Sequence, residues 1–199
     1  MSIAESKNCV GRVGGSMAEQ APLRVVIHHT SMLQPEVRKF GQSTGAEFID
    51  VRGSDYAYGA SFQKLWSEGR SWINVEHDVL PSVAAIDAMA QCPEPWCAVY
   101  SWRYISPVMP GESRPQQPVR EKEVALFCHK FAASLLARTK DAMISRCAGA
   151  HWRQLDLSIL PVLRGQHGGP HLHEPAVVHL RQQHPAWAAT MTEQDWIDA

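Results

Sequence analysis

From Leu23 to Trp102 the sequence alternates between short β-rich runs and longer segments whose apolar residues recur at helical spacing. Tyr58, Phe62 and Leu65, for example, fall on one side of a helix. Regular alternation of strand and helix is typical of a largely parallel sheet, because parallel neighbours need a crossover between them. We therefore predict a single α/β domain with a Rossmann-like, mostly parallel sheet flanked by helices.

The expected boundaries follow from turn residues and periodicity. Strands are predicted at residues 24–29, 46–51, 71–75, 98–102 and 176–180, helices at 32–43, 57–68, 81–91 and 151–164, and a helix or strand-helix unit at 124–138. Residues 105–120 are rich in Pro, Gly, Ser and Gln and are predicted to form a mobile loop, a candidate lid. Residues 165–175, dense in His and Gly, are predicted to form a second loop. The expected domain limits are a flexible leader at 1–21, the α/β domain at 22–182 and a polar tail at 183–199.

Composition excludes some classes of protein. A net charge of −1 over 199 residues gives no general attraction for a polyanion, so any nucleic-acid surface must be local, and Arg103 to Lys130 is the stretch to consider. An odd number of cysteines, five, without a secretory signal predicts reduced thiols and a bacterial or infected-host cytoplasm. No apolar run is long enough to predict a membrane span. Cys92 and Cys97 suggest zinc, but no second cysteine pair accompanies them, so we favour structural thiols.

The most informative feature is the triplet Glu76-His77-Asp78, which follows the apolar run of the third predicted strand. On an extended strand, residues two apart point to the same side, so the two carboxylates can converge. Unpaired carboxylates at the end of a buried strand are costly, and Mg²⁺ or Mn²⁺ would compensate them while also accepting phosphate oxygens. The alternative is that both acids face solvent or pair with basic side chains.

Ligands of such sheets bind beyond the carboxyl ends of the strands. His29 and Thr30 end the first strand, and Asp50 and Arg52 end the second, so these four residues are predicted to contact a bound ligand. Arg52 suits phosphate, and Asp50 suits a ribose hydroxyl or a base amide. The sequence contains neither a Gly-x-Gly-x-x-Gly run nor a P-loop, which argues against NAD-type and kinase-type sites.

The segment from Trp72 to Val79 resembles the acid-x-acid motif of GT-A-type nucleotide-sugar glycosyltransferases. The run through Pro81 to Cys97 resembles small glycosyltransferase-like proteins of bacteriophages and actinobacteria. Three later segments resemble the same group: 125–131, Trp152-Arg153-Gln154-Leu155-Asp156, and 171–175 with His179. The resemblance covers roughly residues 23 to 180. Glu in place of Asp at position 76 and His77 in the middle depart from the common pattern, which leaves Asp78 as the stronger ligand.

The resemblance implies a transferase that uses Mn²⁺ or Mg²⁺ and a nucleotide-diphosphate sugar. The nucleotide of that donor would lie over the ends of the first two strands, at His29, Thr30, Asp50 and Arg52. Asp78 and Glu76 would hold the metal, Glu76 would also face the donor, and one late histidine would assist: His179 first, then His171 or His173. Asp156 would be the catalytic base if the enzyme inverts the sugar; a retaining enzyme would not need it. Phage members suggest a hydroxymethylated DNA base as one acceptor, with a saccharide, lipid or protein hydroxyl as equal alternatives.

Two other functions remain open from the sequence. One is a nucleotide- or sugar-binding protein of the same fold without catalysis. The other is a metal-dependent hydrolase that uses the Glu/Asp/His cluster, although the helical His-Glu-x-x-His pattern of zinc hydrolases is missing.

Overall fold

The structure is a computed structural model that describes residues 23–30, 33–103, 117–118 and 125–179. Its strands are β1 (Arg24–His29), β2 (Glu47–Asp50), β3 (Trp72–Glu76), β4 (Val79–Leu80), β5 (Trp96–Arg103), β6 (Gln117–Pro118), β7 (Cys128–Phe131) and β8 (His171–His179). Its helices are α1 (Pro35–Thr44), α2 (Ala57–Glu68), α3 (Val83–Gln91), α4 (Ala133–Cys147) and α5 (Leu155–His167), and a 3₁₀ turn (Trp152–Gln154) precedes α5.

The strands form one mixed sheet in the order β2-β1-β3-β7-β5-β8-β4, and β6 pairs with β5. β1 is parallel to β2 and β3, and β5 is parallel to β8. The short connecting strand β7 is antiparallel to both β3 and β5, so β1, β2, β3, β5 and β8 all run in the same direction. The predicted α/β fold with a mostly parallel sheet is therefore confirmed.

Two hydrophobic clusters cover the two faces of the sheet. Successive strand residues point to opposite sides, so Val26 and Trp72 join one cluster while Ile27 and Ile73 join the other. The first face, which we call the α2 face, is covered by α2, α4 and α5. The second, the α3 face, is covered by α1 and α3.

Helix ends are set by local sequence. Gly45 and Gly69 end α1 and α2 with φ of 67° and 68°, a left-handed conformation that glycine adopts without strain. Ser82 caps α3 by accepting a hydrogen bond from the Ala85 N–H at 3.1 Å. Gly45 and Gly69 return the chain directly to the next strand. Because each helix crosses back between parallel strands, the strand-to-helix connections gather at the carboxyl edge of those strands.

The predicted loop at 165–175 is wrong at both ends, because α5 continues to His167 rather than ending at residue 164, and β8 begins at His171 rather than at residue 176. The density of His and Gly led to the loop prediction. Long-range pairing of Cys97 with His171 extends the strand, and its register shifts between Val99 and Ser101, close to where Pro175 lies. The predicted leader, the polar tail and all of the candidate lid except Gln117–Pro118 lie outside the described residues. Within the described part of the chain, no helix is long and apolar enough to cross a membrane.

Candidate functional site

A cavity of about 800 Å³ lies at the carboxyl ends of β1, β2 and β3, above the α2 face. It brings together five of the residues that the sequence predicted for the site: Thr30, Arg52, Glu76, Asp78 and Asp156. The remaining lining residues are His28, Val51, Ser54, Asp55, Tyr58, His77, Trp152 and Arg153. The cavity therefore combines carboxylates, two arginines and a large aromatic surface.

The acidic triplet is not one extended strand. β3 ends at Glu76, His77 and Asp78 form a turn, and β4 begins at Val79. The alternation argument therefore does not apply to Asp78. The turn achieves the same result by another route, since all three residues line the cavity. The backbone N–H of Gln34 donates to the His77 carbonyl at 3.2 Å, which ties the turn to the start of α1.

A buried hydrogen-bond network supports the cavity floor. Asn74 is fully buried in β3; its Oδ1 lies 2.8 Å from His28 Nδ1, and its Nδ2 donates to the Leu126 carbonyl oxygen at 2.5 Å. Nδ2 also lies 3.4 Å from the Tyr58 hydroxyl, which donates to Glu76 Oε1 at 3.3 Å. The network therefore ends on the carboxylate at the end of β3 and directs it.

Electrostatics fix the protonation of this network. Burial lowers the pKa of His28 to about 3, more than its hydrogen bond to Asn74 raises it, so the ring is neutral. Since Asn74 Oδ1 can only accept, the single proton lies on Nδ1 and the Ser61 hydroxyl donates to Nε2 at 2.8 Å. Burial, followed by the charges of Glu76 and Asp156, raises the pKa of Tyr58 well above its usual value, so Tyr58 stays a donor.

The second strand presents a cation to the cavity. Arg52 Nε donates to both oxygens of Asp50 at 2.9 Å, and the Arg52 backbone N–H also donates to Oδ1 at 2.9 Å. These hydrogen bonds hold the pKa of Asp50 well below its usual range. Arg52 lines the cavity whereas Asp50 does not, so Asp50 orients the guanidinium.

Of the two residues that end the first strand, only Thr30 lines the cavity. His29 lies to the side, where its ring contacts Phe48 edge-on at 6.1 Å between centroids and its Nδ1 is 3.3 Å from the Thr30 carbonyl oxygen.

Asp156 and an aromatic rim come from the start of α5. Asp156 lies in the first turn of that helix, where a carboxylate is stabilised by the helix dipole. Trp152, in the preceding 3₁₀ turn, is 49% exposed, and its ring stacks on His151 at 5.9 Å. The Arg153 guanidinium lies 5.0 Å from the centre of the Trp152 ring. An exposed indole beside a carboxylate suits the apolar face of a sugar ring.

His171 and His173 do not join the acidic turn, contrary to the prediction that they assist its metal. β8 is separated from β3 by β7 and β5, a lateral distance of about 14 Å at normal strand spacing. The two imidazoles also lie on the α3 face, beside Cys92 and Cys97, whereas Glu76 shares the α2 face with Trp72 and Asn74. Sequence proximity to His179 was misleading, because one extended strand carries these histidines to different ends of the sheet.

His179 itself ends β8 at the correct edge. Its backbone pairs with Val79, the residue after Asp78. Its side chain lies outside what the structure describes.

The basic stretch proposed as a local nucleic-acid surface does not include Lys130 at the surface. This side chain is 4% exposed, and it donates to the Cys92 carbonyl oxygen at 2.5 Å.

Sequence reasoning missed the functional position of His28, Asn74 and Arg153 and assigned Tyr58 only to one side of a helix. A signal was available for the first two. His28 and Asn74 are polar residues inside apolar runs, RVVIHH and WINVE, and each occupies a position whose neighbours two residues away face the core. Buried polar groups need partners, so two of them on adjacent strands predict contact with each other.

Among solved structures, the chain is similar to a glycosyltransferase involved in the glycosylation of the major capsid of PBCV-1. The identity is 12% and the TM-score 0.47, over 86% of this chain and 100% of that one. It is also similar to CMP:2-keto-3-deoxy-manno-octonic acid synthetase complexed with CTP, at 12% identity and a TM-score of 0.37 over 78% of this chain and 90% of that one. No protein-family model and no curated protein matches the chain. At these values the similarities carry no conclusion about activity, so the chemistry of the cavity has to indicate the function.

Proposed function

We propose that the chain is a metal-dependent glycosyltransferase that moves a sugar from a nucleotide-diphosphate donor to a hydroxyl acceptor. The observation that carries this proposal is one cavity that contains the acidic turn, an oriented arginine, a helix-start carboxylate and an exposed tryptophan. Each of these groups suits a different part of the reaction: cation, diphosphate, acceptor hydroxyl and sugar ring.

Asp78 and Glu76 would hold Mn²⁺ or Mg²⁺. The donor set fits a hard cation, since both side chains offer carboxylate oxygens to the same cavity. The metal would neutralise the negative charge of the departing diphosphate. Tyr58 fixes the direction of the Glu76 carboxylate through its hydrogen bond to Oε1. His179 would be a further ligand, because its backbone lies beside Val79.

The nucleotide would lie across the ends of β1 and β2. Arg52, oriented by Asp50, would bind a phosphate through its guanidinium, as planar paired donors favour. Thr30 would donate its hydroxyl to the donor, and His29 would support the same strand end from outside the cavity. Glu76 would lie between metal and donor.

Asp156 would accept the proton of the acceptor hydroxyl if the reaction inverts the anomeric centre. Its position fits this role, because it lines the same cavity as the acidic turn and its charge reaches Tyr58. Trp152 would stack on the transferred or accepting sugar from the rim.

The first experiment measures thermal stability with a panel of nucleoside diphosphates, each with and without Mn²⁺. A ligand at one hundred times its Kd adds about 2.7 kcal/mol, which raises the Tm of a domain of this size by roughly 5–10 °C. We expect one diphosphate to give this increase only with metal. Asp78→Asn should abolish the Tm increase that the diphosphate gives with Mn²⁺, and Glu76→Gln should reduce that increase by a smaller amount. The matched control is Asp141→Asn, an exposed carboxylate on α4, which should behave like wild type. Unchanged metal dependence in Asp78→Asn would refute the metal assignment.

A second variant separates positioning from ligation. Tyr58→Phe removes the hydrogen bond to Glu76 but leaves both carboxylates in place. We expect the metal concentration for half-maximal stabilisation by the diphosphate to rise several-fold at an unchanged maximal Tm shift. An identical metal titration would show that Tyr58 does not position the ligand.

The acceptor is tested by transfer. The donor identified by thermal shift is incubated with hydroxymethylated DNA, with unmodified DNA as control, and with saccharide and protein acceptors. Glucosyl or other sugar transfer to hydroxymethylated DNA alone would identify the base hydroxyl as acceptor. Binding without transfer or hydrolysis would favour a binding protein, and sugar release that depends on metal but not on any acceptor would favour a hydrolase.

A further inference from the structure

A second cluster of ligand-type side chains lies on the α3 face of the sheet, away from the cavity. Cys92, Cys97, His171 and His173 each direct one ligand atom to a common point, and these four atoms all lie within 4.8 Å of one another. Cys92 Sγ is 3.2 Å from His171 Nδ1, and that nitrogen is 3.3 Å from His173 Nε2. In the described part of the chain no other group of three or more His, Cys, Asp or Glu residues converges in this way.

Three elements build the cluster: the end of α3, strand β5 that follows it, and strand β8, which lies far along the chain from both. Cys92 directly follows the last residue of α3, and its backbone N–H donates to the carbonyl oxygens of Ala88 and Met89. Cys97 and His171 are register partners on the parallel strands β5 and β8. His173, two residues further along β8, points to the same side as His171. The residues between the two cysteines include Pro93 and Pro95, which restrict the connection between helix and strand.

The surroundings favour a permanent ligand set. Cys97 is fully buried, and Cys92 and His173 are partly buried, so the cluster has an inner wall and one open side at His171. Lys130, the β7 partner of Cys97, is almost fully buried, and its ammonium donates to the Cys92 carbonyl oxygen. A buried ammonium fixes the backbone of Cys92 and places positive charge next to two sulfur ligands.

We propose that Cys92, Cys97, His171 and His173 form a structural zinc site. Two thiolates and two imidazoles are a common tetrahedral zinc set, and their ligand atoms in such a site are separated by about 3.3–3.8 Å. Two of the observed separations, 3.2 and 3.3 Å, are already near these values, and the others, which extend to at most 4.8 Å, need side-chain movements of about 1 Å to reach this geometry. Sulfur and nitrogen ligands select zinc over Mg²⁺, which prefers oxygen.

The role is structural because the protein fills all four positions and leaves none for water or substrate. The site fastens β8 to β5 and to the end of α3, joining residues that are 79 positions apart. It differs in ligand chemistry and in sheet face from the acidic turn, so the two sites can be tested separately.

The test begins with the full-length chain purified under reducing conditions without affinity resins that carry metal. Elemental analysis and native mass spectrometry should show one zinc ion per chain. After removal of zinc with a chelator, Co²⁺ should give intense visible bands of tetrahedral cobalt and a near-ultraviolet thiolate charge-transfer band. One equivalent of Zn²⁺ should displace the bound Co²⁺, abolish these bands and raise the Tm of the chain, whereas Mg²⁺ should have none of these effects.

Variants assign the ligands. Cys92→Ser should lose the charge-transfer intensity of one thiolate, and His173→Ala should lower zinc affinity at least tenfold. Cys147→Ala and His167→Ala, a thiol and an imidazole outside the cluster, should retain wild-type cobalt spectra. If a variant fails to fold, protection of two thiols by zinc against a thiol reagent in the wild-type chain gives the same information. A folded wild-type chain that binds neither Zn²⁺ nor Co²⁺, or a Cys92→Ser variant with an unchanged spectrum, would overturn the proposal.

Discussion

Asn74→Leu tests the buried network most directly. Leucine has nearly the shape of asparagine but offers no polar atoms, so the substitution keeps packing and removes three hydrogen bonds. The His28 N–H then loses its acceptor, Asn74 Oδ1, and the Leu126 carbonyl oxygen loses its donor, Asn74 Nδ2. Tyr58 keeps its bond to Glu76.

The expected cost follows from these contacts. Leaving a buried donor or acceptor unsatisfied costs about 1–3 kcal/mol, so two such groups lower the free energy of unfolding by roughly 2–6 kcal/mol. Total stability of a domain is about 5–15 kcal/mol, so the change is a large fraction of it. Ser61→Ala is the graded control, because it removes only the donor to His28 Nε2, at a cost of about 1 kcal/mol.

The assay is urea unfolding followed by circular dichroism, with the free energy extrapolated to water. Asn74→Leu should shift the midpoint strongly and Ser61→Ala weakly, at unchanged m-values. A loss below about 1 kcal/mol for Asn74→Leu would refute the reasoning, since the unsatisfied groups would have found other partners.

Stability should fall as the pH decreases from about 6.5 toward 4. Burial lowers the pKa of His28 to about 3 and that of His129 to about 4, so in this pH range the unfolded chain binds two protons that the folded chain does not. Urea unfolding at several pH values should therefore show the free energy of unfolding falling by up to about 2.7 kcal/mol per pH unit. A free energy of unfolding that does not change with pH would contradict this. Gly59→Ala should destabilise the fold by about 1–3 kcal/mol. The new Cβ would lie 2.7 Å from the carbonyl oxygen of Cys147, the last residue of α4, and 2.9 Å from that of Ala150, and only a backbone shift relieves these contacts. Gly165→Ala is the matched control within α5, where nothing lies within 4 Å of the new Cβ, and it should stabilise by about 0.5–1 kcal/mol in the same thermal or urea assay.

Local patterns were sufficient to predict the elements near the cavity. The apolar run ending at Val75 and the helical spacing from Tyr58 to Trp66 each have one interpretation, and both elements form as expected. Trp66, four residues after Phe62 on the same helix, is fully buried, and its indole N–H donates to the Thr139 hydroxyl at 2.9 Å. Acids at the end of a buried strand likewise reach the cavity, since all parallel strands end at one edge.

Contacts between distant segments were not predictable in the same way. Nothing near Cys92 in the sequence indicates His171, because their proximity depends on β5 and β8 becoming neighbours across the sheet. The same pairing turned the second half of a predicted loop into strand. The hydrogen-bond network of His28, Asn74 and Tyr58 likewise connects three elements, β1, β3 and α2. The periodicity of a single segment shows that a polar residue occupies a buried position, but it does not predict which residue of another segment is its partner.

The position of β8 has a consequence for how the chain reaches its native state. This strand is the last one described in sequence, yet it lies between β5, its parallel partner, and β4, its antiparallel partner, and both precede it by more than seventy residues. Pairing of this kind closes large loops and makes folding slow. On a ribosome, β4 and one side of β5 would expose unpaired edges until β8 emerges, and exposed edges recruit strands from other chains. Truncation before residue 171 should therefore yield aggregates rather than a smaller domain, even though such a fragment retains the whole acidic turn.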